Sequence, residues 1–254
     1  MYSIARIVFF LVVPLSSFSQ DYFKAGLALE KEFKTEAALS QYEKAIALEP
    51  ENGLAYCHAS RMLSNIGGNL PLSKKNLKKE KYVKAKEYGL TAVRLLPDDP
   101  NTHLAYTIAL GLLSEISGTP REKIMDAKII REEGETIIRL NPRMAEGYFI
   151  LGKWNFELAR LNWFEQMACE VFFGGLPDGF SMRAAKENFE KANQLSPNTI
   201  LFLYGEASVL HYMGELSQAK KLLEKAIVLP LREPDDAQRK ERCRNLLELV
   251  NKQL

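Results

Sequence analysis

Five times along this chain, a trio of small or apolar residues at helical spacing is followed by a proline. The series runs Ala38, Tyr42, Ala45, Pro50; Ala85, Gly89, Ala92, Pro97; Ile130, Gly134, Ile137, Pro142; Ala185, Phe189, Ala192, Pro197. Its last copy is Ala219, Leu223, Ala226 and, one residue early, Pro230. Steps of four and three put each trio on one face of an α-helix. The proline ends that helix, since it has no N–H to donate and its ring clashes with the preceding turn. One such face cannot be buried alone, so recurring copies must stack along a line.

A second cluster precedes the trios. Tyr22, Ala25, Gly26 and Leu29 stand before the first; Tyr56, Ala59, Ser60 and Leu63 before the second; His103, Tyr106, Thr107 and Leu110 before the third. Tyr148, Leu151 and Gly152, then Leu203, Ala207 and Leu210, complete the set. The combined spacing is that of the tetratricopeptide repeat, two antiparallel helices in about 34 residues. Small residues at Gly26 and Ala38 let the two backbones approach, and Tyr42 fills the space beside them.

The terminators divide the chain into units 19–52, 53–99, 100–144, 145–199 and 200–233. The three middle units exceed 34 residues by 13, 11 and 21, and the excess is expected in or beside the turn within each pair. A helix over 234–253, with Cys243, Leu246, Leu247 and Val250 on one face, would cap the last unit. Thr119, Pro120 and Glu122 form a capping box, and Ser181 caps a helix after the turn cluster Gly174-Gly175-Leu176-Pro177-Asp178-Gly179. With 46% hydrophobic residues and few glycines and prolines, disorder and collagen are excluded. No period-two alternation predicts a sheet. The fold class is therefore all-α, a tetratricopeptide-type superhelix of helical hairpins with a C-terminal capping helix.

The N-terminus has a different character. Arg6 precedes the apolar run Ile7–Val13, extended by Pro14 and Leu15, and Ser17, Phe18 and Ser19 offer small residues before Gln20. This is the layout of a secretory signal peptide over residues 1–19, leaving a repeat domain over 20–254. The expected location is secreted or periplasmic after cleavage; the alternative is an uncleaved N-terminal membrane anchor. Cys57, Cys169 and Cys243 lie far apart without metal-type spacing, which favours buried thiols over one disulfide and a free cysteine.

The stretch Gly147-Tyr148-Phe149-Ile150-Leu151-Gly152-Lys153-Trp154-Asn155-Phe156, then Leu161-Asn162-Trp163-Phe164-Glu165 and Ala184 to Ala192, resembles the regulator of microtubule dynamics protein family. His103 with Tyr106, and Leu140-Asn141-Pro142, fit the same pattern, and the resemblance covers roughly residues 80–253. It implies an all-helical repeat domain that acts by binding and carries no catalytic residues. Family members are associated with microtubules, with organelle contact sites and, in one branch, with phospholipid binding by the repeat domain. With its N-terminal segment, the chain looks like a bacterial envelope relative, for which tubulin is an implausible partner.

In a stack of this kind the first helix of each pair lines the inner surface. The lining positions are Phe23, Leu27, Glu30 and Lys31; Cys57, Arg61, Ser64 and Asn65; Leu104, Ile108 and Leu112; Phe149, Lys153, Phe156 and Glu157; Tyr204, Ser208, His211 and Tyr212. Such a surface favours a peptide with apolar anchors, an amphipathic helix or an acyl chain, with Arg61 and Lys153 free to fix a carboxylate or phosphate. The competing expectation is that the chain's own insertions fold over the groove, since Trp163, Phe164, Met167, Val171, Phe172 and Phe173 must pack somewhere. Lys74, Lys75, Lys78, Lys79, Lys81, Lys84 and Lys86 form the densest basic run, read either as a solvated helix face or as attraction to an anionic membrane or acidic partner.

A formal net charge of +2 and no aromatic interleaving of the lysines give no drive toward nucleic acid. With three histidines and no metal, nucleophile or phosphate motif, catalysis and cofactors are not expected. The function class that remains is a protein-binding scaffold in the cell envelope, with a carrier of a lipid or other apolar ligand as the alternative.

Overall fold

The computed structural model describes residues 15–254, apart from the side chains of residues 15–17, 172 and 173; the apolar run Ile7–Val13 lies outside them. Twelve α-helices and no strand occur among the described residues. In chain order they are α1 Leu15–Lys31, α2 Thr35–Leu48, α3 Gly53–Asn69, α4 Lys75–Leu95, α5 Pro100–Ser117, α6 Pro120–Leu140, α7 Ala145–Ala159, α8 Trp163–Phe173, α9 Met182–Leu195, α10 Ile200–Tyr212, α11 Leu216–Val228 and α12 Asp236–Gln253. Five hairpins result: α1 with α2, α3 with α4, α5 with α6, α7 with α9, and α10 with α11. α12 covers the last pair, and its Cys243 and Val250 are fully buried in one cluster with Leu223 and Ala226 of α11.

The helix starts follow the capping chemistry legible in the chain. Thr119 and Glu122 make the reciprocal capping box with Pro120 in the first turn, and the Ser181 hydroxyl accepts the N–H of Ala184. A second capping box, Asn162 with Glu165, starts α8. The residues added to the second and third units lengthen α3 and α4, and α5 and α6, where they meet their turn, so they form helix instead of loop. The added length carries its own packing layer: a Cβ on Gly67 would stand 2.3 Å from the Tyr82 ring, as one on Gly26 would stand 2.5 Å from the Tyr42 ring. Gly152 meets Phe189 in the same way at 2.8 Å.

The extra residues of the fourth unit behave otherwise. α8 rests on α6, and Trp163, Phe164, Met167 and Val171 stay exposed. The expectation that these side chains must pack somewhere is therefore corrected for those four. An 11-residue helix resting on one neighbour has too little contact to bury them. The side chains of Phe172 and Phe173 fall outside the described ones.

The three thiols are free. Cys57 and Cys243 are buried, Cys169 half-buried.

The stack curls back on itself. Gln238 Nε2, in the first turn of α12, lies 3.5 Å from Asn69 Oδ1 at the end of α3, 169 positions away in the chain. Beside this contact a cleft of about 430 Å³ is lined by Phe33, Thr35, Ile66, Leu231 and Pro234, with Glu36, Asn69 and Glu233. Phe33 adopts φ +57° in the α1–α2 turn, where the matching α10–α11 turn has Gly214 at +79°. Left-handed backbone costs an aromatic residue about 1 kcal/mol that glycine avoids.

Gly89 of α4 has the most constrained close approach, since a Cβ there would stand 2.7 Å from the Tyr106 backbone Cα. Gly89→Ala is expected to destabilise the fold by about 2 kcal/mol through overpacking. Gly111→Ala, whose new methyl would meet only Ile130 Cδ1 at 3.8 Å, is expected to be neutral or stabilising. Thermal unfolding of the two variants checks the contrast.

Candidate functional site

First helices form the inner side of the curve. α3 packs on α5, α7 on α10 and α10 on α12, while each second helix bridges to the first helix of the next pair. Elements on the inside of a bend are brought closest together, so α1, α3, α5, α7, α10 and α12 line the concave face.

The predicted lining divides into two groups on that face. Phe23, Leu27, Phe149, Tyr204 and His211 are engaged within the protein. Phe23 sets its edge against the His58 ring at 5.5 Å between centroids and lies 5.7 Å from Tyr42. Leu27 joins the cluster of Ala38, Tyr42 and Ala59. Phe149 lies between Phe189 and Phe202, at 5.5 and 5.2 Å. Tyr204 packs on the cluster beneath α12, and His211 Nε2 meets Gln253 Oε1 at 3.0 Å. Cys57 and Ser64, also on the predicted lining, are buried.

The other group remains accessible. Ile108 is 39% and Tyr212 55% exposed, Arg61 and Lys153 are exposed, and Leu104 and Phe156 are half-buried. Tyr212 stands edge-on to Phe156 at 5.9 Å, with the Arg160 guanidinium 5.7 Å from the Phe156 centroid. The surface thus presents an apolar step on α5 and an aromatic ledge on α7 and α10, with Arg61 on α3 and Lys153 on α7 as its exposed cations. Arg61 pairs with Glu30 at 3.4 Å and Lys153 with Glu115 at 2.5 Å. The Lys153–Glu115 pair is about half exposed and contributes little to stability, so a ligand carboxylate can compete for Lys153.

A polar knot that sequence reasoning missed holds the first two units together. Glu30 Oε2 accepts the Tyr42 hydroxyl at 2.7 Å and lies 2.8 Å from His58 Nδ1. Burial pushes the Glu30 carboxyl up, but hydrogen bonds from His58 and Tyr42, with the charge of Arg61, outweigh it, and the group sits below its ordinary range. Burial and the Glu30 carboxylate together push the Tyr42 phenol well up. Glu30 stood on the predicted lining, but nothing local in the sequence joins it to His58, 28 positions on.

Two groups that could take part in chemistry are held in structural positions. Burial pushes the Cys57 thiol up to about 12, which disfavours the reactive thiolate. His103 lies between two acceptors, Glu133 Oε2 at 2.5 Å and the Pro97 carbonyl at 2.8 Å, and so ties α5 to α6. Among the described residues no group of three His, Cys, Asp or Glu is placed to hold a metal ion. Of the lysine run, Lys84 pairs with Glu43 at 2.6 Å and Lys81 with Glu80 at 3.3 Å, while Lys74, Lys75 and Lys79 are exposed at or near the start of α4.

The family model described as regulator of microtubule dynamics protein 1–3 matches residues 22–251. Regulator of microtubule dynamics protein 1 of Bos taurus is 31% identical over 160 residues, 63% of this chain and 48% of that protein. Regulator of microtubule dynamics protein 2 of Mus musculus is 26% identical over 178 residues, 69% of this chain and 43% of that protein. The chain spans about half the length of these relatives. Among solved structures, a thermophilic TPR protein of Thermus thermophilus superposes with a TM-score of 0.65 at 19% identity, covering 91% of this chain and 99% of that one. Yeast Tom70 superposes at 0.57 with 15% identity, covering 94% of this chain and 41% of that one. Both likenesses show the tetratricopeptide fold.

A carboxyl held below its ordinary 4.5 adds stability at neutral pH that is lost as pH falls through its folded value. Glu30→Gln is therefore expected to start less stable at pH 7 and to lose less on acidification below about pH 4.5 than the natural chain. Urea unfolding midpoints across that range measure the difference.

Proposed function

The chain belongs to the regulator of microtubule dynamics protein family, and we propose that it is a non-catalytic scaffold whose concave face holds a protein partner. The tetratricopeptide fold supports the class of function. The observation that carries the finer reading is the accessible group on the first helices: Ile108 and Tyr212 exposed, Leu104 and Phe156 half-buried, with the exposed cations Arg61 and Lys153 on the same set of helices. Side chains with that mixture suit an extended or helical peptide with apolar anchors and an acidic group. Burying each anchor would stabilise the complex by about 25 cal/mol per Å² of apolar surface removed from water. The relatives' names speak of microtubule dynamics; what passes to this chain is the repeat domain that the match covers.

The site of action we propose is the cell envelope, reached by removal of residues 1–19. Ser19 is buried and its hydroxyl donates to the Ala45 carbonyl at 3.2 Å, so a cut after it removes one hydrogen bond between α1 and α2. Intact mass of the protein recovered from its native compartment is expected to match a chain beginning at Gln20; a mass including residues 1–19 would refute the secretory reading.

Photo-crosslinking tests the concave site. With a photoreactive amino acid at Ile108, exposure of cells to light is expected to yield a discrete covalent partner, reduced at least several-fold by Lys153→Glu. The same probe at Lys220, on α11 and away from the concave face, is expected to yield none. Equal products from both positions would remove the concave face as the docking site.

A further inference from the structure

At two places in the chain an asparagine or aspartate precedes a glycine: Asn52-Gly53 and Asp178-Gly179. At such a pair the amide nitrogen of the unhindered glycine can attack the side-chain Cγ and close a five-membered succinimide. In an unfolded chain Asn52 is the faster of the two, because a neutral amide is a better electrophile than an ionised carboxylate.

The fold reverses that order. Asn52 is fixed on both sides, its Oδ1 accepting the Ala55 N–H at 3.0 Å and its Nδ2 donating to Glu49 Oε2 at 3.2 Å. Its ψ of 81° holds Cβ and the Gly53 nitrogen on opposite sides of the Cα–C bond, whereas ring closure needs them nearly eclipsed. Gly53 is buried at the start of α3, and its N–H already donates to the Glu51 carbonyl at 2.9 Å. Asp178 and Gly179 differ on each count. Both are exposed, Gly179 lies at φ +81°, and no atom stands within 4 Å of where its Cβ would be. Among the described residues nothing in the protein accepts the Gly179 N–H.

One neighbour bears on the chemistry. Arg131 Nη1 donates to the Asp178 main-chain carbonyl at 2.8 Å. The guanidinium is held there by Glu135, which accepts from Nε at 2.9 Å, and by the Trp154 ring, whose centroid is 5.3 Å away. A succinimide opens when water attacks one of its two carbonyls. Attack at the main-chain carbonyl breaks its bond to the Gly179 nitrogen, leaves the chain running through the side chain and frees an α-carboxylate. A guanidinium bonded to that oxygen polarises the carbonyl under attack and then pairs with the carboxylate it becomes.

We propose that Asp178 is a site of spontaneous modification, closing on Gly179 to a succinimide that Arg131 directs toward isoaspartate. In the closing step the Gly179 nitrogen bonds to Cγ, and its proton leaves with a carboxyl OH as water. In the opening step one water is taken up, so the net change is an isomerisation. It inserts the Asp178 methylene into the main chain just before two anchors of the α8–α9 connection: Phe180, edge-on to Trp154 at 6.4 Å, and the Ser181 N–H, which donates to Asn155 Oδ1 at 3.1 Å. The freed α-carboxylate is the group that a repair methyltransferase esterifies with the methyl of S-adenosylmethionine.

Trypsin separates the two pairs, placing Asn52 in residues 45–61 and Asp178 in residues 161–183. The natural chain is aged for weeks at neutral pH in water enriched in heavy oxygen, then treated with isoaspartyl methyltransferase and radiolabelled S-adenosylmethionine. Methyl label is expected in 161–183 and several-fold less in 45–61. Ageing in denaturant is expected to put 45–61 ahead. Asp178→Glu, which cannot form the five-membered ring, is expected to lose the label from 161–183. Arg131→Gln is expected to lower the isoaspartate share, among 161–183 peptides that have taken up heavy oxygen, to the share found in denaturant. Label in 45–61 ahead of 161–183 in the folded chain, or label kept by Asp178→Glu, overturns the site. An isoaspartate share unchanged by Arg131→Gln overturns the directing role of Arg131.

Discussion

Everything in this architecture depends on how closely two helices of a pair can approach. Small residues at the crossing points remove the side chains that would hold the backbones apart, and an aromatic ring from the second helix then fills the remaining space. Tyr42 lies over Gly26, Tyr82 over Gly67 and Phe189 over Gly152. Ala38, Ala45, Ala85, Ala92, Ala185 and Ala192 are completely buried along the same seams. A core made of close seams between neighbours needs no sheet and no central hydrophobic ball, so the stack can extend by adding pairs.

Curvature follows from the same geometry. First helices pack on one another across pairs, α3 on α5 and α7 on α10, which places them on the inside of the bend. The side chains they turn inward are then of two kinds. Those at the level of the seams, such as Phe149 and Tyr204, complete the packing; those beyond it, such as Ile108 and Tyr212, meet solvent. The concave surface proposed for binding is what the packing leaves over, and of its cations Lys153 is held by an exposed partner, Glu115, while Arg61 lies beside the Glu30 knot.

Local signals were legible in the sequence. The five trios locate the second helices, and α12 falls within the capping segment; the capping box at Thr119 and the cap at Ser181 stand as their residue types require. Those features arise from residues three or four apart, where a sequence pattern acts directly. What the pattern did not show has longer range. Its excess residues in the second and third units extend helices because Gly67 and Tyr82 supply another seam, a pairing across 15 positions that the repeat spacing does not contain. Phe149 reads as lining by position, yet Phe202, from the next unit, draws it into the core. The return of α12 to the end of α3 accumulates over the four pairs from α3–α4 to α10–α11, which no single motif encodes.

That return is the most exacting consequence of the account, because every seam between α3 and α12 must hold its geometry for the ends to meet. A chain with Asn69→Cys and Gln238→Cys, its three natural cysteines changed to Ser or Ala, can be treated with a short bis-maleimide and resolved by denaturing electrophoresis and peptide mapping. The account predicts rapid intramolecular linkage of residues 69 and 238 in the monomeric protein. Failure of those positions to link, while the protein keeps its helical content, would show an open stack and contradict it.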